Sequence, residues 1–214
     1  MPLLTADIRT ILQNGGVISF PSTVTGGTGL VNTGIVDQVV DNNYSKVNLT
    51  ADVVANTITL TRVSNDSTTN NGVNIFTVDV MATVGAINPP GYIYTGDFSG
   101  CVFYLYKTGP NQVTGVHAYS GSQPVTTRVG VFRKKVVNQV VREFGPTDYF
   151  TRNPAMMICR YPTRGEMDLS TGERSLAFLS CVDTTTATTF LFTVANSPGG
   201  ARVVRMLRAY HVKF

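Results

Sequence analysis

The chain has 214 residues, enough to bury one sizeable core, and no linker or composition break divides it, so a single domain over 1–214 is expected. Hydrophobic residues make up 43% and charged residues only 14%, with Thr, Val, Asn and Gly abundant, which favours strands joined by polar turns over a helical bundle. The net charge of +4 allows a basic face without marking a nucleic-acid-binding protein, and no apolar run approaches the ~20 residues of a membrane-spanning helix.

In chain order, a short helix is predicted over Ala6–Gln13, with Thr5 as its cap and Asn14-Gly15-Gly16 as its stop. Strand patterns follow at 17–20, 46–54, 57–63 and 73–84. Ala55-Asn56 and the Asn-rich stretch 65–72 separate them as turns, the second too polar to pack. Gly26-Gly27-Thr28-Gly29 lacks the Lys-Ser/Thr of a phosphate loop and reads as a flexible loop. Next comes a β-hairpin: Val102–Tyr106, a turn over Lys107–Gln112, then Val113–Tyr119. Apolar residues at 129, 132, 136, 140 and 144 recur at helical spacing between Thr126-Thr127 and Gly145-Pro146. They predict a long helix carrying Arg128, Arg133, Lys134, Lys135 and Arg142 on its polar face. Strands at 156–161, 175–182, 188–195 and 202–213 complete the chain. The expected fold class is therefore α+β, a central β-sandwich or layered, mostly antiparallel sheet with a few outer helices.

Cys101, Cys159 and Cys181 are an odd number of cysteines, which argues for reduced thiols rather than a disulfide framework. Cys159 and Cys181 lie in apolar strand contexts and read as buried packing residues. Cys101 differs. It follows the Ser99-Gly100 turn at the mouth of the hairpin, where the backbone N–H groups of Gly100 and Cys101 can face an oxyanion. A hairpin centred on Gly109 sets Cys101 opposite His117, with Cβ atoms ~4.5–5.5 Å apart, a geometry for a thiol nucleophile and its base. Thr95 lies upstream as a candidate orienting residue. His211 on the last strand reads as structural, the alternative being a rival base for Cys101. Two histidines and scattered cysteines and carboxylates give no metal-ligand spacing, so neither a metal nor another cofactor is expected.

Thr95, Phe98-Ser99-Gly100-Cys101 and His117 together resemble the Thr, Leu-Ser-Gly-Cys and His pattern of the bacterial Cys-His glutamine deamidases. That superfamily includes the catalytic domain of cytotoxic necrotizing factor, Burkholderia lethal factor and CheD-like chemoreceptor deamidases. The resemblance covers residues 95–117, with Phe98 standing where the toxins commonly have Leu. It implies a β-sandwich core whose hairpin presents Cys101 and His117, with Thr95 holding the second imidazole nitrogen through its hydroxyl or its carbonyl. It implies the activity of a protein-glutamine glutaminase, a bacterial toxin or effector whose partner is a protein substrate with a surface glutamine, with His117 keeping Cys101 as thiolate. Nucleic acid is not expected as the primary partner, nor a membrane, and a monomer is favoured. The N-terminus lacks a basic flank followed by a long apolar region, so the chain reads as soluble. The bacterial cytoplasm, or export into a host cytoplasm without a classical signal peptide, fits that reading. Two other readings of the same residues stay open: a transglutaminase or cysteine protease using the same Cys-His pair, and a non-catalytic β-rich binding or structural module.

Overall fold

In the computed structural model, the described residues are 2–21, 39–40, 44–64, 66–75, 82–98, 102–118, 156–159, 169 and 171–214. One helix occurs among them, α1 (Thr5–Gln13). The strands are β1 (Val17–Ser19), β2 (Val39–Val40), β3 (Tyr44–Asp52), β4 (Thr57–Arg62), β5 (Gly72–Ile75), β6 (Ala82–Ile87) and β7 (Gly91–Phe98). They continue with β8 (Val102–Gly109), β9 (Gln112–Ala118), β10 (Met156–Cys159), β11 (Ser175–Val182), β12 (Thr186–Ser197) and β13 (Gly200–Lys213).

Eight of these close into a barrel in the order β1-β13-β12-β11-β7-β5-β3-β4, and a second sheet runs β10-β8-β9-β6-β2. The expected α+β sandwich with outer helices is thus corrected: the fold is mostly β, built on a closed barrel. Closure depends on β1, which pairs antiparallel with β13 and parallel with β4. Alternation within a strand reports which side chains face inward; it carries no information about a partner strand from the far end of the sequence. The long helix expected around 127–144 lies outside the described residues, as do the 26–29 loop and the segment 76–81. The pattern at 73–84 is not one strand, since β5 belongs to the barrel and β6 to the second sheet.

Inward positions alternate as the pleat requires. Val47 and Leu49 of β3, Ile58 and Leu60 of β4, Tyr92 and Tyr94 of β7, Ala177, Leu179 and Cys181 of β11, and Phe190, Phe192 and Val194 of β12 fill the barrel. Ile8, Ile11 and Leu12 of α1 belong to the same core. Because α1 packs on β3 and β4 as well as β12 and β13, it stoppers one end of the barrel. Thr5 is inside the helix rather than capping it: the N-cap is Leu4, and the Thr5 side chain hydrogen-bonds Cys181. Leu4 N–H donates to the Tyr92 hydroxyl at 2.9 Å. Gly15, at φ +64°, ends the helix as expected. Asn71 departs from the solvated turn expected of it. Its side-chain amide accepts from Leu49 N–H at 2.7 Å and donates to Leu49 O at 2.9 Å, acting as an extra rung beside β3.

A second core lies between the outer face of the barrel and the second sheet. Ile93 of β7, Leu176, Phe178 and Val182 of β11 and Leu191 of β12 meet Phe103, Leu105 and Val113 across it. Gly85 and Gly115 are paired across β6 and β9. A Cβ on Gly115 would sit 2.8 Å from Ile93 Cγ2, and one on Gly85 would sit 2.9 Å from Ile75 Cγ1. The absence of side chains at this pair therefore lets the second sheet settle close onto the barrel.

Candidate active site

β7 supplies two side chains to the interlayer through a β-bulge. Its register with β11 runs Thr95↔Phe178 and then Phe98↔Leu176, one extra residue on the β7 side. In a regular strand, residues three apart point to opposite faces; the bulge at Gly96-Asp97 turns both Thr95 and Phe98 toward the second sheet. From that sheet β9 points His117 back at them, on the same face as Gly115 and Val113.

Thr95 and His117 meet at 2.9 Å between Oγ1 and Nδ1, with Thr95 0% and His117 1% exposed. The Thr95 hydroxyl also donates to the Ile75 carbonyl at 3.0 Å, brought alongside by the parallel pairing of β5 and β7. A hydroxyl has one proton, and a carbonyl can only accept. Thr95 therefore presents a lone pair to His117, the imidazole carries its proton on Nδ1, and Nε2 is the basic nitrogen. Phe98 stacks on the imidazole with ring centroids 3.7 Å apart and planes 15° from parallel. Phe178 meets Phe98 edge-on at 4.7 Å and stacks on Phe103 at 5.2 Å. The imidazole is thus fixed at one nitrogen by a hydrogen bond and on one face by an aromatic ring.

Burial pushes the His117 pKa down to about 3, so the ring is neutral at neutral pH. The resting ring is therefore a neutral imidazole rather than the imidazolium expected to keep Cys101 as thiolate, and the same burial makes it a weak proton acceptor.

The hairpin register differs from the one expected. The turn is at Pro110-Asn111, with Gly109 paired to Gln112, and His117 lies opposite Phe103 rather than Cys101. The shift of two residues preserves the parity of the pairing. Cys101, with Ser99 and Gly100, lies outside the described residues, so the expected oxyanion N–H groups do too. His211 is exposed and takes a 3.1 Å contact from Thr188 Oγ1 to its Nδ1, on β13 and away from the interlayer core. Cys181 is buried in the barrel, where desolvation pushes its thiol up to about 12. Cys159 falls on β10, opposite Phe103, with its side chain outside the described residues. No group of residues that could hold a metal ion occurs among the described residues. No helix of the described residues is long and apolar enough to cross a membrane.

Two contributors escaped the sequence reading. The Ile75 carbonyl gave no signal, because nothing local announces the parallel neighbour of β7. Phe98 was visible only as the position at which this chain departs from the deamidase pattern.

No protein-family model matches the chain, and no curated protein matches it. Among solved structures it is similar to the C-terminal domain of CNFy from Yersinia pseudotuberculosis, at 12% identity and a TM-score of 0.38 over 80% of this chain and 72% of that one. So loose a superposition decides nothing about function.

Proposed function

We propose that the protein is a glutamine deamidase acting on a protein substrate, with Cys101 as nucleophile, His117 as general base and acid, and Thr95 as the residue that orients the imidazole. The observation that carries this reading is the Ile75 carbonyl–Thr95 hydroxyl–His117 Nδ1 chain, which leaves Nε2 as the proton acceptor. The sequence pattern Thr95, Phe98-Ser99-Gly100-Cys101 and His117, with its resemblance to the Cys-His glutamine deamidases, supplies the nucleophile and the reaction class.

In the reaction, His117 Nε2 takes the Cys101 thiol proton as sulfur attacks the side-chain amide carbon of a substrate glutamine. The backbone N–H groups of Gly100 and Cys101 stabilise the oxyanion. The imidazolium returns the proton to the leaving ammonia. Water, deprotonated by the same imidazole, hydrolyses the thioester to glutamate and restores the thiol. Substrate is a bacterial signalling or host protein, and the enzyme works as a soluble toxin or effector without cofactor.

The test is differential thiol alkylation followed by product analysis. Iodoacetamide at neutral pH labels Cys101 first, whereas Cys181, 2% exposed and with its thiol pushed up to about 12, reacts only on unfolding. Cell lysates incubated with wild type, and not with Cys101→Ser, acquire glutamines heavier by about one mass unit. Equal labelling of Cys101 and Cys181 in the folded chain rejects the nucleophile; backbone cleavage or amine incorporation reassigns the reaction.

A further inference from the structure

The sequence holds two Asn-Gly pairs, Asn14-Gly15 and Asn71-Gly72. In such a pair the backbone nitrogen of the glycine can attack the side-chain amide carbon of the asparagine, because no Cβ on the following residue hinders the approach. The fold treats the two pairs oppositely. The Asn71 amide is held at both ends, its Oδ1 accepting from Leu49 N–H at 2.7 Å and its Nδ2 donating to Leu49 O at 2.9 Å. Gly72 is buried in β5 between Val47 of β3 and Tyr92 of β7. A Cβ there would lie 2.8 Å from the Tyr92 carbonyl oxygen, so this backbone turns only if the barrel wall opens.

Asn14 is the C-cap of α1, exposed, at φ −87° and ψ 10°. Its side-chain amide hydrogen-bonds no other described residue. Two contacts hold the peptide between Asn14 and Gly15: Asn56 Nδ2 donates to Asn14 O at 3.3 Å, and Gly15 N–H donates to Leu12 O at 3.4 Å. Both exceed the usual ~2.7–3.2 Å of an N–H···O bond. Rotating that peptide to aim Gly15 N at Asn14 Cγ therefore costs only two long bonds, and Gly15, at φ +64°, has no side chain to obstruct it.

We infer that Asn14-Gly15 is a self-modification site that releases ammonia without the Cys101-His117 pair. Gly15 N bonds to Asn14 Cγ as its proton passes to water, the Cγ–Nδ2 bond breaks and ammonia leaves, giving a five-membered imide. Water then opens the imide at Cγ to give aspartate, or at the main-chain carbonyl to give isoaspartate, whose main chain is longer by one carbon. The segment that follows has no room for it. Gly16 O accepts from Val203 N–H at 2.8 Å and Val17 N–H donates to Asn56 O at 3.0 Å, contacts that seat β1 between β13 and β4. A Cβ on Gly16 would lie 2.6 Å from Asn56 O. Isoaspartate at position 14 thus loosens the strand on which barrel closure depends.

The test follows wild type and Cys101→Ser by peptide mass spectrometry during incubation at pH 8, folded and in urea. In the folded chains Asn14 gains about one mass unit at least about tenfold faster than Asn71, since a local opening suffices at the cap whereas β5 must leave the barrel. In urea the two rates draw level. In the isoaspartate fraction, hydrogen exchange at the Val17 and Val203 amides speeds up, and an equally incubated Asn14→Gln chain shows neither change. Asn71 converting as fast as Asn14 in the folded chain, a difference that persists in urea, or conversion that stops in Cys101→Ser would overturn the site. Unchanged exchange at Val17 and Val203 in the isoaspartate fraction would overturn its effect on β1.

Discussion

The Thr95 hydroxyl lies 2.9 Å from His117 Nδ1 and 3.0 Å from the Ile75 carbonyl, so one side chain of the barrel sets the tautomer of a histidine on the other sheet. Replacing it tests the arrangement. Thr95→Val keeps the volume but strips both hydrogen bonds, leaving the Ile75 carbonyl and His117 Nδ1–H buried without this partner, at a cost of about 1–3 kcal/mol. The rate of Cys101 alkylation falls by about tenfold or more as the ring loses its fixed orientation. Thr95→Ser restores most of both, and nitrogen NMR of the imidazole reports the tautomer directly.

His117 also gives the fold a pH dependence of known sign. Its pKa is lowered from 6.5 to about 3 by burial, so below pH 6.5 the unfolded chain takes up a proton that the folded one refuses. This contribution to stability is fully present above pH 6.5 and is lost progressively down to about pH 3. The slope is on the order of 1.4 kcal/mol per pH unit. Urea unfolding of wild type and His117→Asn between pH 7 and pH 4 measures it: the wild type loses more stability on acidification than the variant.

Gly115→Ala strikes the approach of the two sheets. The new methyl would lie 2.8 Å from Ile93 Cγ2 and 3.1 Å from Ile75 Cδ1, so the second sheet lifts from the barrel at a cost of about 1–3 kcal/mol. The Thr95–His117 hydrogen bond lengthens with it. Gly109→Ala, where the Cβ meets nothing closer than Gln112 Cβ at 3.9 Å, is the control and stays within about 0.5 kcal/mol of wild type. Thermal unfolding ranks the two.

Phe98→Ala removes the ring stacked on the imidazole, opening a cavity between the layers for about 3–5 kcal/mol. Water reaches His117 and its pKa climbs back toward 6.5 in an NMR titration. Phe98→Leu refills most of the volume, costs less, and moves the titration less.

The hairpin that carries His117 was legible because an aromatic run, a Gly-Pro-Asn turn and a Val-rich run follow one another in sequence. Its register was not, since the turn falls at Pro110-Asn111 with a shift between Lys107 and Gly109, and a centre assigned to Gly109 moves each pairing by two. β7 went unseen, because the interruptions at Gly91, Gly96 and Asp97 hide its alternation, and its bulge makes Thr95 and Phe98 cofacial against the period of a strand. Thr95 was found through the motif rather than the pattern. The parallel β5–β7 contact and the β1 closure join segments whose own sequences are silent about each other.

Thr95 and Phe98, the two residues that brace His117, both pair with β11, and the barrel that carries β11 shuts only when β1 meets β13. On a ribosome the hairpin with its histidine therefore emerges well before the strands that bury it. Contacts this distant in sequence form slowly. The hydrogen bond and the stacked ring that fix His117 therefore wait for strands made late in synthesis, and the imidazole is held in one orientation only where the far ends of the chain have met.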